Sequence, residues 1–254
     1  GMNLITVAHT GLTGIGYTAV SIALTMFIGL ALATVLRTDK ETSLLITVGT
    51  AICGGSAIAA LAPTLQAKHE NISVALGVVF MLNAIALVIF PPIGHFFELS
   101  QHQFGLWSAL AIHDTSSVVG AGLKYGPEAL ETGTTVKLTR AIWIVPLVFI
   151  IQAVLHHRYK AAEPEQLQKK KYPWFILGFL ATAALFTYMP EWQSYGDMIE
   201  LAAKRLLVLT LFLIGSNLTL SNIKSVGLKP FILGTALWLI VASFSLFAIT
   251  QNWI

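Results

Sequence analysis

The chain has 254 residues, of which 56% are hydrophobic and 11% charged. Soluble domains carry about 25% charged residues, so this composition excludes an ordinary soluble domain and indicates a membrane protein. The net charge of +3 is small and concentrated in one loop, which reads as a topology signal rather than a nucleic-acid surface.

A hydrocarbon core of roughly 30 Å needs about 20 apolar residues as helix. Eight segments approach that length, at 12–36, 43–66, 72–97, 104–123, 137–157, 173–190, 198–221 and 228–250. Strand-type alternation is absent, which argues against a barrel. The expected fold class is all-α: a polytopic α-helical membrane protein with two discontinuous helices and an inverted repeat. The chain reads as a single transmembrane domain over 1–254, with one linker at 156–172.

The opening "GMNLITVAHTG" has neither a basic n-region nor an apolar h-region, so no cleavable signal is expected. "GMNL" at Gly1–Leu4 matches "GSNL" at Gly215–Leu218 in three of four residues. The second copy ends a helix, whereas nothing precedes the first. A true repeat would mean that the chain begins where a helix should already have ended. The copies lie seven segments apart if 104–123 spans, and an odd number inverts one copy relative to the other. A tag-derived glycine before a start methionine explains the first copy equally simply.

Segment 43–66 contains "GTAICGGSAIAALAP", with Cys53, Gly54, Gly55 and Ser56 at its middle and Pro63 near its end. Such residues serve close helix packing, or a helix broken at mid-membrane whose half-helix ends face a substrate. In the second case Cys53, the single cysteine, lines an aqueous cavity and reacts with thiol reagents. In segment 72–97, Asn83 is expected to hydrogen-bond a neighbouring helix, and Pro91–Pro92 to end its own.

Segment 104–123 holds "AIHDTSSVVGAG". Asp114 is the one acidic residue deep in an apolar segment, where it costs about 2.5–3.5 kcal/mol and faces a partner or a water-filled cavity. Asp is a favoured helix N-cap. With Thr115, Ser116 and Ser117 as a first turn, Asp114 would start a half-helix whose free N–H groups attract an anion. A proton or cation site at Asp114 is a further reading. His113 meets Asp114 only where the backbone leaves a regular helix.

Lys137 and Arg140 open one segment and Lys204 and Arg205 another, all at the outer side of the expected topology. They either snorkel to headgroups or make a cavity electropositive. Arg158, Lys160, Lys169, Lys170 and Lys171 place the linker in the cytoplasm and 190–197 on the opposite side. His9, His95, His102, His156 and His157 lie at segment edges in no metal-binding spacing. No Walker A, GxSxG, HExxH or CxxC pattern occurs. An enzyme is therefore not expected, and no metal, cofactor or nucleic acid.

"TAICGGSAIAALAP", "FGLWSALAIHDTSSVVGAG", "VKLTRAIWIVP", "KKYPWFILGF" and "AAKRLLVLTLFLIGSNLTL" together resemble the YeiH-like sulfate exporter family of bacterial inner-membrane proteins. The resemblance covers essentially the whole chain. It implies a multi-pass secondary transporter, distantly similar to bile-acid-symporter-like and cation/proton-antiporter-like folds. It also implies N-terminal helices ahead of the position of Gly1 that this chain lacks. The expected substrate is a small anion such as sulfate or a sulfonate. Its site would be built from Cys53, Gly54, Gly55, Ser56, His113, Asp114, Thr115, Ser116 and Ser117, with Lys137, Arg140, Lys204 and Arg205 supplying attraction. The expected partners are the lipid bilayer, a coupling Na+ or H+, and further copies of the chain. The rival readings are an Na+- or H+-coupled organic-anion symporter, a channel-like or sensory subunit, and an inactive truncated membrane protein.

Overall fold

The computed structural model describes residues 4–159 and 227–254, together with isolated positions between them. The helices are α1 Leu4–Leu36, α2 Lys40–Ala51, α3 Gly55–Leu65, α4 His69–Phe96, α5 Gln101–Ala111, α6 Thr115–Tyr125, α7 Pro127–Ala141, α8 Ile144–Tyr159 and α9 Leu228–Thr250. No strand occurs among the described residues. Among the described residues four stretches are long and apolar enough to cross a membrane: Gly16–Leu36, His69–Phe96, Pro127–Val154 and Leu228–Thr250. Apart from isolated positions, the segments expected at 173–190 and 198–221 and most of the 156–172 linker lie outside the described residues.

Segment 43–66 is occupied by α2 and α3 with residues 52–54 between them. Segment 104–123 is occupied by α5 and α6 with residues 112–114 between them. Both first members start on side-chain caps. Asp39 accepts from the Thr42 N–H at 2.9 Å, and Ser100 and Gln103 form a capping box on α5. Each such cap is worth about 1 kcal/mol.

The segment expected at 137–157 begins earlier, at Pro127, as α7 and then α8. Pro127 stands at the first helical position, where its missing N–H costs nothing. The polar run 127–136 reads as loop by hydropathy, yet its small residues let it lie directly against α5 and α6. A Cβ on Gly105 would meet Thr132 Cβ at 2.7 Å, and one on Gly122 would meet the Leu130 Cα at 2.7 Å. This is the close backbone approach of small-residue packing in membranes. Pro91 and Pro92 do not end α4, which runs through both to Phe96. Membrane helices tolerate such prolines where neighbours satisfy the freed backbone.

The core lies around α2 and α5. Leu45, Ile46, Ala51, Phe104 and Ala109 are fully buried. α4 and α9 pack against them, with Gly234 of α9 meeting Val78 and Ile46. Two tryptophans tie α5 to α9 reciprocally. Trp107 Nε1 donates to the Ala242 carbonyl and Trp238 Nε1 to the Ala111 carbonyl, each at 3.0 Å. Phe90 of α4 stacks on Trp107 with ring centroids 4.1 Å apart, an arrangement worth about 0.5–1.5 kcal/mol beyond its buried area.

Candidate functional site

The residues between the paired helices meet one another. After α2, the Ile52 N–H donates to Val48 O at 3.2 Å and the Gly54 N–H to Gly49 O at 2.8 Å. Gly54 then turns the chain at φ 63° and ψ −122°, which a side chain would strain. It also sits too close to its neighbours for one. A Cβ there would lie 3.1 Å from Val79 and 3.3 Å from the backbone carbon of His113. The 52–54 break therefore rests on the 112–114 break.

Side chains lock this crossing. His113 Nε2 lies 3.0 Å from Thr50 Oγ1, and Thr50 donates its own hydrogen to Ile46 O at 2.9 Å. Asp114 caps α6, accepting from the Ser116 N–H at 3.0 Å and from the Ser116 hydroxyl. This is the start and cap expected from the sequence. Asn83 of α4 accepts from the Asp114 N–H at 3.1 Å, as the helix-to-helix role predicted for it requires.

Lys137 and Arg140 stand one turn apart on α7, and both are 0% exposed. They do not snorkel, because α7 begins ten residues before Lys137 and carries both into the interior. Lys137 Nζ donates to Ile112 O at 2.6 Å and to Ala109 O at 3.2 Å. Arg140 Nη2 donates to Ala51 O, and its Nη1 lies 3.4 Å from Ser21 Oγ of α1. One cation thus closes the C-terminal end of α5 and the other that of α2. A helix C-terminus carries about half a negative charge, which cations stabilise. Burying a lone cation costs several kcal/mol, so these contacts decide whether the two charges can stay.

The opposite ends face the same crossing. α6 begins under the Asp114 carboxylate, whereas the N-cap of α3 is Gly54, which has no side chain to give. The Cys53 thiol lies against the Ala57 N–H and the Ser56 hydroxyl. Gly55, Ser56, Asp114 and Thr115 are at least partly exposed, while Gly54, His113, Ser116 and Ser117 are buried. Cys53 is 2% exposed and does not line an open aqueous cavity as expected, because its sulfur is folded onto the first turn of α3. Arg205 is exposed, and Lys204 lies outside the described residues. Among the described residues no group of three or more His, Cys, Asp or Glu is placed to hold a metal. The arrangement presents hydrogen-bond donors and positive helix ends, which suits an anion. Thr50 and Trp238 also belong to it, and nothing in their sequence surroundings separates them from ordinary membrane-helix residues.

Over residues 1–234 the chain matches the family described as conserved hypothetical protein 698. A UPF0324 membrane protein of Bdellovibrio bacteriovorus is 59% identical over 254 residues, which is all of this chain and 78% of the relative. Another, of Geobacter sulfurreducens, is 46% identical over 253 residues, covering 100% of this chain and 79% of the relative. A third, of Bacteroides thetaiotaomicron, is 46% identical over 95% of this chain and 72% of its own length. No solved structure matches. The chain belongs to this family of membrane proteins.

Proposed function

We propose that this protein is a multi-pass secondary transporter of the bacterial inner membrane that moves a small anion, with sulfate or a sulfonate as the first candidates. In this reading α2–α3 and α5–α6 are two discontinuous membrane-crossing helices, related as halves of an inverted repeat, and the substrate sits where they cross. One observation carries it. Both C-terminal half-helix ends are neutralised by buried cations, Arg140 on Ala51 and Lys137 on Ala109 and Ile112. The positive N-terminal end of α3 at Gly55, whose cap residue Gly54 has no side chain, is left to act on a ligand, while Asp114 caps that of α6. Irregular backbone at membrane depth occurs only where it is buried in protein or lines a cavity, and both breaks here are enclosed by α4 and α7.

The coupled-symporter reading is favoured by a different observation. Asp114 is partly exposed beside Thr115 at the same crossing, where a carboxylate can hold Na+ or a proton. Purified protein in sealed proteoliposomes tests both. Saturable counterflow of a labelled anion is expected. Its dependence on an imposed Na+ or proton gradient selects the symporter. Non-saturating flux marks a channel, and no flux of any tested anion overturns the transporter reading.

A further inference from the structure

We infer that the crossing selects a monovalent oxyanion that carries its own hydroxyl hydrogen, over a bare dianion and over a monovalent oxyanion with no hydrogen to give. This rests on the anion reading above but sets aside its first candidates, since sulfate is a bare dianion and a sulfonate has no hydrogen to give. Two counts on the described residues support it.

The first is of charge. Lys137 and Arg140 bring two positive charges to the crossing, both wholly buried. Asp114 brings one negative charge. The other described acids, Asp39, Glu41, Glu70, Glu98, Glu128 and Glu131, are exposed or half-buried and lie in loops or toward helix ends. Among the described residues the crossing therefore holds one positive charge in excess, and an uncompensated buried charge is costly. A monoanion balances it, whereas a dianion reverses the imbalance.

The second count is of hydrogen-bond groups. Asn83 Nδ2, Arg140 Nε and His113 Nδ1 are buried and have no partner. Their residues are 3%, 0% and 1% exposed. Asn83 holds the Asp114 N–H through its oxygen, so its amide nitrogen is a donor at the start of α6. Arg140 Nε is a donor beside the end of α2. His113 is different. Because Thr50 gives its hydrogen to Ile46 O, His113 Nε2 must donate to Thr50. That leaves Nδ1 with a lone pair and no hydrogen. A third cation formed there would crowd Lys137 and Arg140. The crossing thus offers two unpaired donors and one unpaired acceptor. A ligand with only acceptor oxygens meets the donors and strands Nδ1. One that also bears an O–H can give Nδ1 the hydrogen that it lacks. Stranding a buried polar group reduces affinity by about tenfold to a hundredfold.

The test is titration calorimetry on the full chain in lipid nanodiscs, at one mildly acidic pH and constant ionic strength. The probes are dihydrogen phosphate, nitrate, sulfate and sodium ion. Dihydrogen phosphate is expected to bind at least tenfold more tightly than nitrate or sulfate. His113→Leu keeps much of the bulk and removes the Nδ1 acceptor without adding another, while Thr50 still gives its hydrogen to Ile46 O. It should bring dihydrogen phosphate down to the nitrate value while nitrate affinity holds. If that variant does not fold, the wild-type ranking alone decides. Nitrate or sulfate binding as tightly as dihydrogen phosphate overturns the selectivity and leaves the anion site standing. Saturable sodium binding with no anion binding overturns both.

Discussion

Replacing Gly54 by alanine tests the crossing with a single methyl group. Gly54 has φ 63°, and holding a side chain in such a sparsely populated conformation costs about 1–3 kcal/mol. The new Cβ would stand 3.1 Å from Val79 Cγ1 and 3.3 Å from both the backbone carbon and the Cβ of His113. Val79 is fully buried and His113 is 1% exposed, so neither has room to retreat. Overpacking of this kind costs about a further 1–3 kcal/mol. The expected loss is thus about 2–6 kcal/mol if the two add. Gly16→Ala is the control, since a Cβ there meets nothing within 4 Å and a helical Gly→Ala change gains about 0.5–1 kcal/mol. Equilibrium unfolding in mixed micelles with rising SDS, followed by tryptophan fluorescence, measures both. A Gly54→Ala protein within about 0.5 kcal/mol of wild type, the range of a harmless surface change, would refute the contact between the two breaks and the reasoning built on it.

Asp114→Asn should leave stability within about 0.5 kcal/mol, because Asn caps helices as well as Asp, and should abolish any ion coupling of transport; coupling that survives in proteoliposome flux leaves Asp114 as a cap alone. Lys137→Met keeps the side-chain bulk but strands the Ala109 and Ile112 carbonyls. A net stability loss of about 1–3 kcal/mol is expected, with anion affinity down at least tenfold by calorimetry; unchanged affinity would remove Lys137 from the electrostatics of the site. Cys53, at 2% exposure, should resist a charged, membrane-impermeant thiol reagent in the folded protein and label fully after denaturation, with Cys53→Ala as the blank; rapid labelling of the folded protein contradicts the buried thiol. Reporter fusions at Gln166 and Ser194 should report opposite sides of the membrane, cytoplasmic for Gln166, since five basic residues lie in 156–172 and none in 190–197; the same side for both removes 173–190 as a span.

The parts of the site legible in the sequence are those whose chemistry conflicts with their surroundings. An aspartate followed by three hydroxyl residues inside an apolar segment announces a cap, and α6 begins where that pattern puts it. Paired glycines at 54 and 55 announce an irregular backbone, and the turn falls at Gly54. Lys137 and Arg140 were visible as charges but misplaced. Hydropathy averages the polar run 127–136 into a loop, so the helix start moves and the cations seem to lie near a headgroup layer. Gly105 and Gly122 let that run pack as a helix directly on α5 and α6. Such a fit is a property of three helices together, which no window on one of them contains. Thr50 was invisible for a related reason. Its hydroxyl back-bonds to Ile46 O as many membrane threonines do, and only the approach of His113 gives it a second partner.

Lys137 and Arg140 are three residues apart on one helix, yet they grip different polypeptide breaks. α7 therefore acts as a shared axle. A rotation or slide of α7 pulls on Ala51 and Ile112 in the same instant, so the two breaks cannot move independently while both grips hold. The phase between them is set by the helical repeat. One residue inserted between positions 137 and 140 would swing one grip about 100° away from the other, uncoupling the breaks.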